Sequence, residues 1–372
     1  MSENLLDIKN LQITFNTSSD EKDLIKAVSG INLQIPEGKT IGLVGESGSG
    51  KSVTALAAMG LLPKDNCEIN GEINYLGTNL LKLSNSELSI IRGKEISMVF
   101  QEPMTSLNPV LNIEKQIEEI LEKHLSLTKN QIKDKTISLL KMVRISDPES
   151  RIKNYPHQFS GGQRQRIMIA MALACNPKLL IADEATTALD VTIQLQILEL
   201  IKDLTNSMGT TLLMITHNLG IIARYAHQVN VMKEGKIVER GTALKIYSSP
   251  NHSYTKNLLK SVPIIDLKNK NKINKNITNI NETPVISVKN LNVEFQLRNN
   301  YFFSKSTKTI NAVRDVSFDI FRGETFGLVG ESGSGKTTIG KSIVNLVEPK
   351  SGTIVLNGKK HKKTFQNIKI IR

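Results

Sequence analysis

The sequence predicts an α/β fold: a parallel β-sheet flanked by helices, followed by a partial second copy of the same unit. Two observations carry this. The decapeptide GLVGESGSGK occurs at Gly42–Lys51 and again at Gly327–Lys336. Elsewhere in the first copy, short apolar runs end in polar residues, the pattern of strands buried on both faces of a parallel sheet. In chain order, Thr40–Val44 reads as a buried strand, Gly45–Gly50 as a glycine-rich turn and Ser52–Met59 as the helix that follows it. Ile113, Ile117, Ile120 and Leu121 fall on one helical face, and Leu139, Leu140 and Val143 begin another, so residues 104–155 read as a helical insertion. Leu179–Ala182 and Thr211–Ile215 are further core strands, with polar residues at the carboxyl edge where such sheets bind ligands.

The two decapeptides lie 285 positions apart, and Ala27-Val28 returns as Ala312-Val313 at the same offset. Ile8-Lys9-Asn10-Leu11 returns as Val288-Lys289-Asn290-Leu291 with five extra residues in an early loop of the second copy. So long a period is a duplicated domain rather than a solenoid. The expected boundaries are a complete domain over residues 1–265, an Asn/Lys-rich linker over 266–282 and a second, truncated copy over 283–372.

The 372 residues include 48 Lys and Arg against 35 Asp and Glu, a formal charge of +13. Much of that excess lies in the 266–282 stretch and in Lys359–Lys363, which read as solvated segments poor in apolar residues. A nucleic-acid partner is therefore not expected, since such partners need basic residues gathered on one face. With 39% apolar residues the chain can bury a core, which excludes wholesale disorder. No run reaches the ~18–20 apolar residues needed to cross a bilayer, and the MSENLLDIKN start has no leader pattern, so a cytoplasmic protein is expected. Cys67 and Cys175 offer neither a disulfide framework nor a ligand cluster, and both are expected to be buried.

Gly45-Glu46-Ser47-Gly48-Ser49-Gly50-Lys51-Ser52 matches the spacing G-x-x-x-x-G-K-[ST], whose glycines let successive backbone N–H groups turn toward phosphate oxygens. Lys51 would reach the β- and γ-phosphates, Ser52 would bind Mg²⁺, and the following helix would aim its positive end at the nucleotide. The pattern recurs with Gly330, Gly333, Gly335, Lys336 and Thr337. Read alone, it is a glycine-rich turn with a surface lysine, but the strand before and helix after it favour the phosphate reading. Asp183 and Glu184 close the run LLIA, the aspartate as a magnesium partner and the glutamate to orient and deprotonate attacking water. An acidic pair at a strand end can also be a turn or cap.

Phe159-Ser160-Gly161-Gly162-Gln163-Arg164-Gln165-Arg166 begins a helix with bare amides, a second anion-binding helix end. This segment resembles the signature of ATP-binding-cassette (ABC) ATPases, and the resemblance extends over nearly the whole chain. It implies a P-loop NTPase fold with a RecA-like parallel sheet, an antiparallel β subdomain and a helical subdomain. In that family Ser160–Gln163 would clasp ATP held by a partner domain, from a homodimer or a second ATPase subunit. By the same resemblance Gln101 is the Q-loop glutamine linking Mg²⁺ and water to a membrane partner, Ala188-Leu189-Asp190 is the D-loop, and His217 is the γ-phosphate switch. Phe15, and Phe295 in the second copy, stand where an aromatic stacks on adenine. His124, His157, His227, His252 and His361 have no comparable context.

Gln101–Pro109 and Ser249–Thr255 narrow the resemblance to ATPases of bacterial oligopeptide and dipeptide importers, some of which fuse two cassettes. That implies two membrane permease subunits as partners, an extracytoplasmic peptide-binding protein indirectly, and a peripheral place on the cytoplasmic face of the inner membrane. Ala185 and Ser253 stand where the group usually has proline; the first is expected to loosen the turn holding Glu184. At the offset between copies, the second-copy counterparts of Gln101, Ser160, Asp183, Glu184 and His217 fall beyond Arg372, so that copy is expected to hold a phosphate loop without catalytic groups. Two alternatives stand beside transport: a soluble cassette ATPase acting on nucleic acid or ribosomes, and a catalytically dead ATP-binding fragment.

Overall fold

Thr40–Val44 (β3), Leu179–Asp183 (β7) and Thr211–Thr216 (β8) are apolar almost throughout because both faces of each are covered. In the computed structural model they pair parallel, with β8 between β3 and β7. Ile96–Val99 (β6) adds on the far side of β7 and Gln228–Lys233 (β9) on the far side of β3, both parallel. Lys236–Thr242 (β10) closes the edge antiparallel to β9, giving a six-stranded sheet. The described residues are 4–16, 24–63, 65–101, 106–186, 190–260, 283–297, 308–331 and 333–360. The predicted linker 266–282, Ala188-Leu189 of the D-loop and His361 lie outside them.

The chain divides into two units, Met1–Ile264 and Ile265–Arg372. In the first, a second sheet is antiparallel. Asn4–Asn16 (β1) runs between Leu24–Pro36 (β2) and Cys67–Tyr75 (β4), and the short strand Thr78–Asn79 (β5) follows. Leu6, Ile8, Leu11, Ile13, Leu33 and Ile35 point from this sheet into a core shared with Ile41, Leu43, Ile181 and Ile215 of the parallel sheet. The opposite face of the parallel sheet packs on helices.

Helix α1 (Lys51–Ala58) follows the glycine-rich turn and α2 (Asn85–Ile91) precedes β6. The insertion is helical as the spacing indicates, with α3 (Ile113–His124), α4 (Lys129–Met142) and the one-turn α5 (Pro148–Arg151). Asn112 and Thr128 cap the first two through their side chains. Buried Ile113, Ile117, Leu121, Leu139 and Leu140 join Ile167, Ile169 and Leu173 of α6 (Gly161–Leu173). The unit is completed by α7 (Val191–Met208), α8 (Leu219–Tyr225), α9 (Ala243–Ser248) and α10 (Ser253–Lys260). No helix among the described residues is long and apolar enough to cross a membrane.

The second unit holds a four-stranded antiparallel sheet in the order β12-β11-β13-β14. Its strands are Ile286–Leu297 (β11), Lys308–Ile320 (β12), Ser351–Leu356 (β13) and Lys359–Lys360 (β14), with helix α11 at Lys336–Ile343. Its buried apolar set is Val288, Leu291, Val293, Val313, Ile339 and Ile354. The repeated GLVG behaves differently here. Residues 325–330 form no strand, and Phe326, Leu328 and Val329 are exposed, Val329 at 92%. In the first unit the same residues are flanked by β8 and β9; no parallel strand flanks them among the described residues of the second.

One sequence expectation is corrected. Cys67 and Cys175 are free thiols but only half-buried. Cys67 opens β4 at the rim of its sheet and Cys175 follows the end of α6, so each sits at an element terminus rather than in a core. Burial nevertheless raises both thiols above their usual pKa.

Candidate functional site

Four adjacent parallel strands end at one edge, and the sequence places a chemically active residue just past each. Strand β3 delivers the Gly45–Ser52 loop, β6 leads to Gln101, β7 ends at Asp183 and Glu184, and β8 leads to His217. This is the carboxyl edge where α/β sheets hold ligands.

The loop geometry needs its glycines. A Cβ on Gly45 would stand 2.1 Å from the Met232 carbonyl oxygen, and Gly50 has φ +102° with the Ala27 carbonyl oxygen 2.4 Å from an added Cβ. Gly50 precedes α1 and supplies no side-chain cap, so the first-turn N–H groups of the helix point out uncapped. A concave run of amides at a helix N-terminus suits phosphate oxygens.

Lys51 is buried, 4% exposed, with its ammonium turned onto its own loop. Nζ donates to Gly45 O and Glu46 O, each at 2.8 Å, and to Ser49 Oγ at 3.3 Å. Burial lowers its pKa, against the opposing pull of Glu184, Asp183 and Glu46.

Ser52 Oγ donates to Asp183 Oδ1 at 3.0 Å. Asp183 is 4% exposed, and loss of solvation raises its carboxyl above the usual range, offset in part by the Ser52 bond and by Lys51. Glu184 lies beside it in the left-handed region, φ +43°, its amide donating to Ile215 O at 2.9 Å. Its carboxylate is held from two strands: Gln101 Nε2 donates to Oε2 at 3.0 Å, and His217 Nδ1 meets Oε1 at 3.1 Å. A hydroxyl, a carboxylate and a nearby glutamate, with phosphate oxygens alongside, form an all-oxygen donor set that suits Mg²⁺. The residues present therefore fit both a nucleotide triphosphate and its metal.

The signature segment is built as a helix start. Ser160 caps α6, its Oγ accepting from Gln163 N at 3.3 Å, while Gln163 Oε1 accepts from Ser160 N at 3.2 Å. Arg151 donates to the same Gln163 oxygen at 3.2 Å and stacks over Phe159 at 4.4 Å. Ser160 and Gly161 stay exposed, so this tip is open to a neighbouring molecule. Asp190 caps α7, accepting from Ile193 N at 2.9 Å. Phe15 sits half-buried on β1 opposite Ile25 and Cys67, packed partly on the core, and Phe295 is exposed on β11.

In the second unit, Lys336 Nζ donates to Gly330 O at 2.7 Å, Glu331 O at 2.6 Å and Ser334 Oγ at 3.4 Å, the pattern of Lys51. Gly335 precedes α11 with φ +95°, 2.3 Å of Cβ clearance from Ala312 O, as Gly50 has against Ala27.

Three supporting contacts were not assigned from the sequence. Arg92 donates through Nη2 to Gly60 O at 2.6 Å and through Nε to Met59 O at 2.5 Å, placing a cation at the end of α1. His227 Nδ1 accepts from Thr40 N at 3.0 Å where β3 begins. Tyr254, within the Ser249–Thr255 stretch, accepts at Oη from Glu46 N at 3.0 Å.

The family described as ABC transporter matches residues 28–187 and 313–372. Among curated proteins, the glutathione import ATP-binding protein GsiA of Salmonella typhimurium is 40% identical over 383 aligned positions, covering 96% of this chain and 61% of that protein. GsiA of Escherichia coli K12 is 41% identical over 381 positions, covering 96% and 60%. The chain thus spans about three-fifths of the length of these relatives. Among solved structures, the ATP-binding cassette MJ0796, dimeric and bound to ADP and Pi after hydrolysis, superposes with TM-score 0.57 at 29% identity over 64% of this chain and 98% of that one. CbiO1 of Clostridium perfringens, part of the ABC transporter complex cbiONQ, gives 0.56 at 26% identity over 66% and 92%. With its phosphate loop, acidic strand end and exposed signature helix on that fold, the chain belongs to the ABC transporter family.

Proposed function

We propose that this chain is the ATP-binding and hydrolysing subunit of an importer that drives uptake of small peptides through two separate membrane permeases. The observation that carries the reading is Glu184, clamped between Gln101 and His217 one residue from the Asp183–Ser52 pair. The loop amides and Lys51 would hold the phosphates, and Ser52 with Asp183 would hold Mg²⁺. Bound there, the metal would neutralise charge developing on the transferred phosphoryl group. Glu184 orients water and takes its proton, with Gln101 and His217 fixing both carboxylate oxygens. The exposed Ser160–Gln163 tip would close over nucleotide held by a second copy or a second ATPase subunit. Gln101 stands six positions before Leu107, which is buried with the helical insertion, so a shift at the γ-phosphate site would have a path to a permease docked on those helices.

The peptide class rests on the Gln101–Pro109 and Ser249–Thr255 stretches and on relatives named for import of glutathione, itself a small peptide. Such a subunit would sit at the cytoplasmic face of the inner membrane and meet an extracytoplasmic peptide-binding protein only through the permeases. Residues 283–372 are read as a second cassette in tandem with residues 1–265, joined by the 266–282 linker. Support comes from the matching Lys336 and Lys51 hydrogen bonds and from strand pairing β12-β11-β13 that repeats β2-β1-β4.

The test is Glu184→Gln. ATP binding should persist while turnover falls by about 10²–10⁴, the usual worth of a general base; turnover at the wild-type rate would remove Glu184 from the role.

A further inference from the structure

Residues 249–260 follow the last strand of the first unit and return to its phosphate loop. Glu239 on β10 starts the return. Its carboxylate accepts from Asn251 N at 2.7 Å and His252 N at 3.1 Å, holding the approach to α10. His252 Nδ1 then accepts from Tyr254 N at 3.1 Å, so a histidine without sequence context caps the first turn of this helix. Tyr254 is 8% exposed, with Lys233 Nζ 5.4 Å from its ring centroid, and Leu258 is equally buried one turn on. The ring is thus fixed by packing, and its hydroxyl emerges at the loop.

The bond it makes there falls on a particular peptide plane. Glu46 N–H donates to Tyr254 Oη at 3.0 Å, and the carbonyl of that same peptide group, Gly45 O, accepts from Lys51 Nζ at 2.8 Å. A peptide group is planar and its N–H and C=O point in opposite directions. Fixing the N–H on one side therefore fixes the carbonyl that aims the lysine on the other. Met232 O of β9 stands 2.1 Å from where a Cβ on Gly45 would lie, so the loop runs close against that strand.

We propose that Tyr254 is a positioning residue for nucleotide binding: through the Gly45–Glu46 peptide its hydroxyl holds the phosphate loop and Lys51 in register. The proposal rests on the nucleotide-binding reading of that loop. A loop held before the ligand arrives loses less freedom on binding, which is the physical basis of the effect. Tyr254 touches no reacting group, so its contribution belongs to binding and not to the hydrolytic step.

The experiment measures ATP dissociation constant, kcat and thermal midpoint for the full chain and for Tyr254→Phe, which keeps the ring and removes only Oη. A single neutral hydrogen bond of ordinary worth predicts an ATP dissociation constant raised by about three- to tenfold. The kcat at saturating ATP should stay within about twofold, since Glu184, Gln101 and His217, the groups read as holding the attacking water, keep their contacts. Leu258→Ala is the control for loosened packing: it should lower the thermal midpoint more than Tyr254→Phe does while weakening ATP less. Unchanged affinity in Tyr254→Phe, or a fall in kcat matching the loss in affinity, overturns the proposal. A wild-type chain that binds no MgATP overturns the nucleotide reading and this inference together.

Discussion

The Ser52 hydroxyl reaches Asp183 Oδ1 across 3.0 Å, tying the first turn of α1 to the tip of β7 over the intervening strand β8. The hydrogen bond joins the phosphate cradle to the acidic strand end without passing through neighbouring backbone. It also explains how a carboxylate so deeply buried remains useful, since the hydroxyl and Lys51 both oppose the burial that raises its pKa.

A raised carboxyl pKa has a definite sign for stability. Between the usual aspartate value of about 3.9 and the higher value in the fold, the folded chain holds more protons at Asp183 than the unfolded chain does. Stability contributed by this group therefore declines as pH rises through that window, and the ionised form is a liability above it. Asp183→Asn should raise the thermal midpoint at pH 7, by roughly 2–4 °C for each kcal/mol released in a unit of this size, and should abolish Mg²⁺-dependent turnover. Differential scanning fluorimetry and an ATPase assay read both; a lowered midpoint would show that the carboxylate stabilises the fold.

Ser253 opens α10, the position where proline is best tolerated because its fixed φ suits the first helical turn and its amide has no helical partner there. Ser253→Pro should stabilise the first unit by about 0.4–1 kcal/mol by restricting the unfolded chain. Urea denaturation followed at that unit would record an unchanged slope and a higher midpoint. A lower midpoint would mean that the Ser253 amide is engaged.

Among its described residues the second unit buries six apolar side chains, while Phe326, Leu328 and Val329 stand in solvent. Limited proteolysis of the whole chain should consume residues 283–360 while a fragment near residues 1–260 persists on gels. Equal lifetimes for the two would contradict the reading of a thin core.

The repeated decapeptide shows what local sequence decides and what it leaves to context. In both copies Gly50 or Gly335 adopts a left-handed conformation and Lys51 or Lys336 folds onto two loop carbonyls and a serine, because those bonds span only six residues or fewer. The preceding GLV is a strand only in the first copy, because a strand needs neighbours that the decapeptide does not contain. The site motifs were legible for the same reason as the loop: Gln101, Asp183, Glu184 and His217 each close or follow a short apolar run. Arg92 and His227 were not, since each acts on backbone more than thirty positions away and ordinary residues surround it in the chain, and the Ser249–Thr255 motif around Tyr254 gave no sign of its partner at Glu46, 208 positions away. Ala185 illustrates the converse. The missing proline was expected to loosen the turn at Glu184, yet that residue is fixed by its own amide and by two side chains from other strands.

The parked ammonium of Lys51 has a consequence for which anions can enter. Already stripped of hydration and shared among three oxygens, it offers a newcomer no reward for shedding water around the cation, only an exchange of partners. On the proposed reading, a chain of phosphoryl groups, with its several charges, would displace those partners more readily than a singly charged ion such as chloride or acetate. On that reading, selection for a polyphosphate over the abundant small ions of the cell would be built into the resting loop.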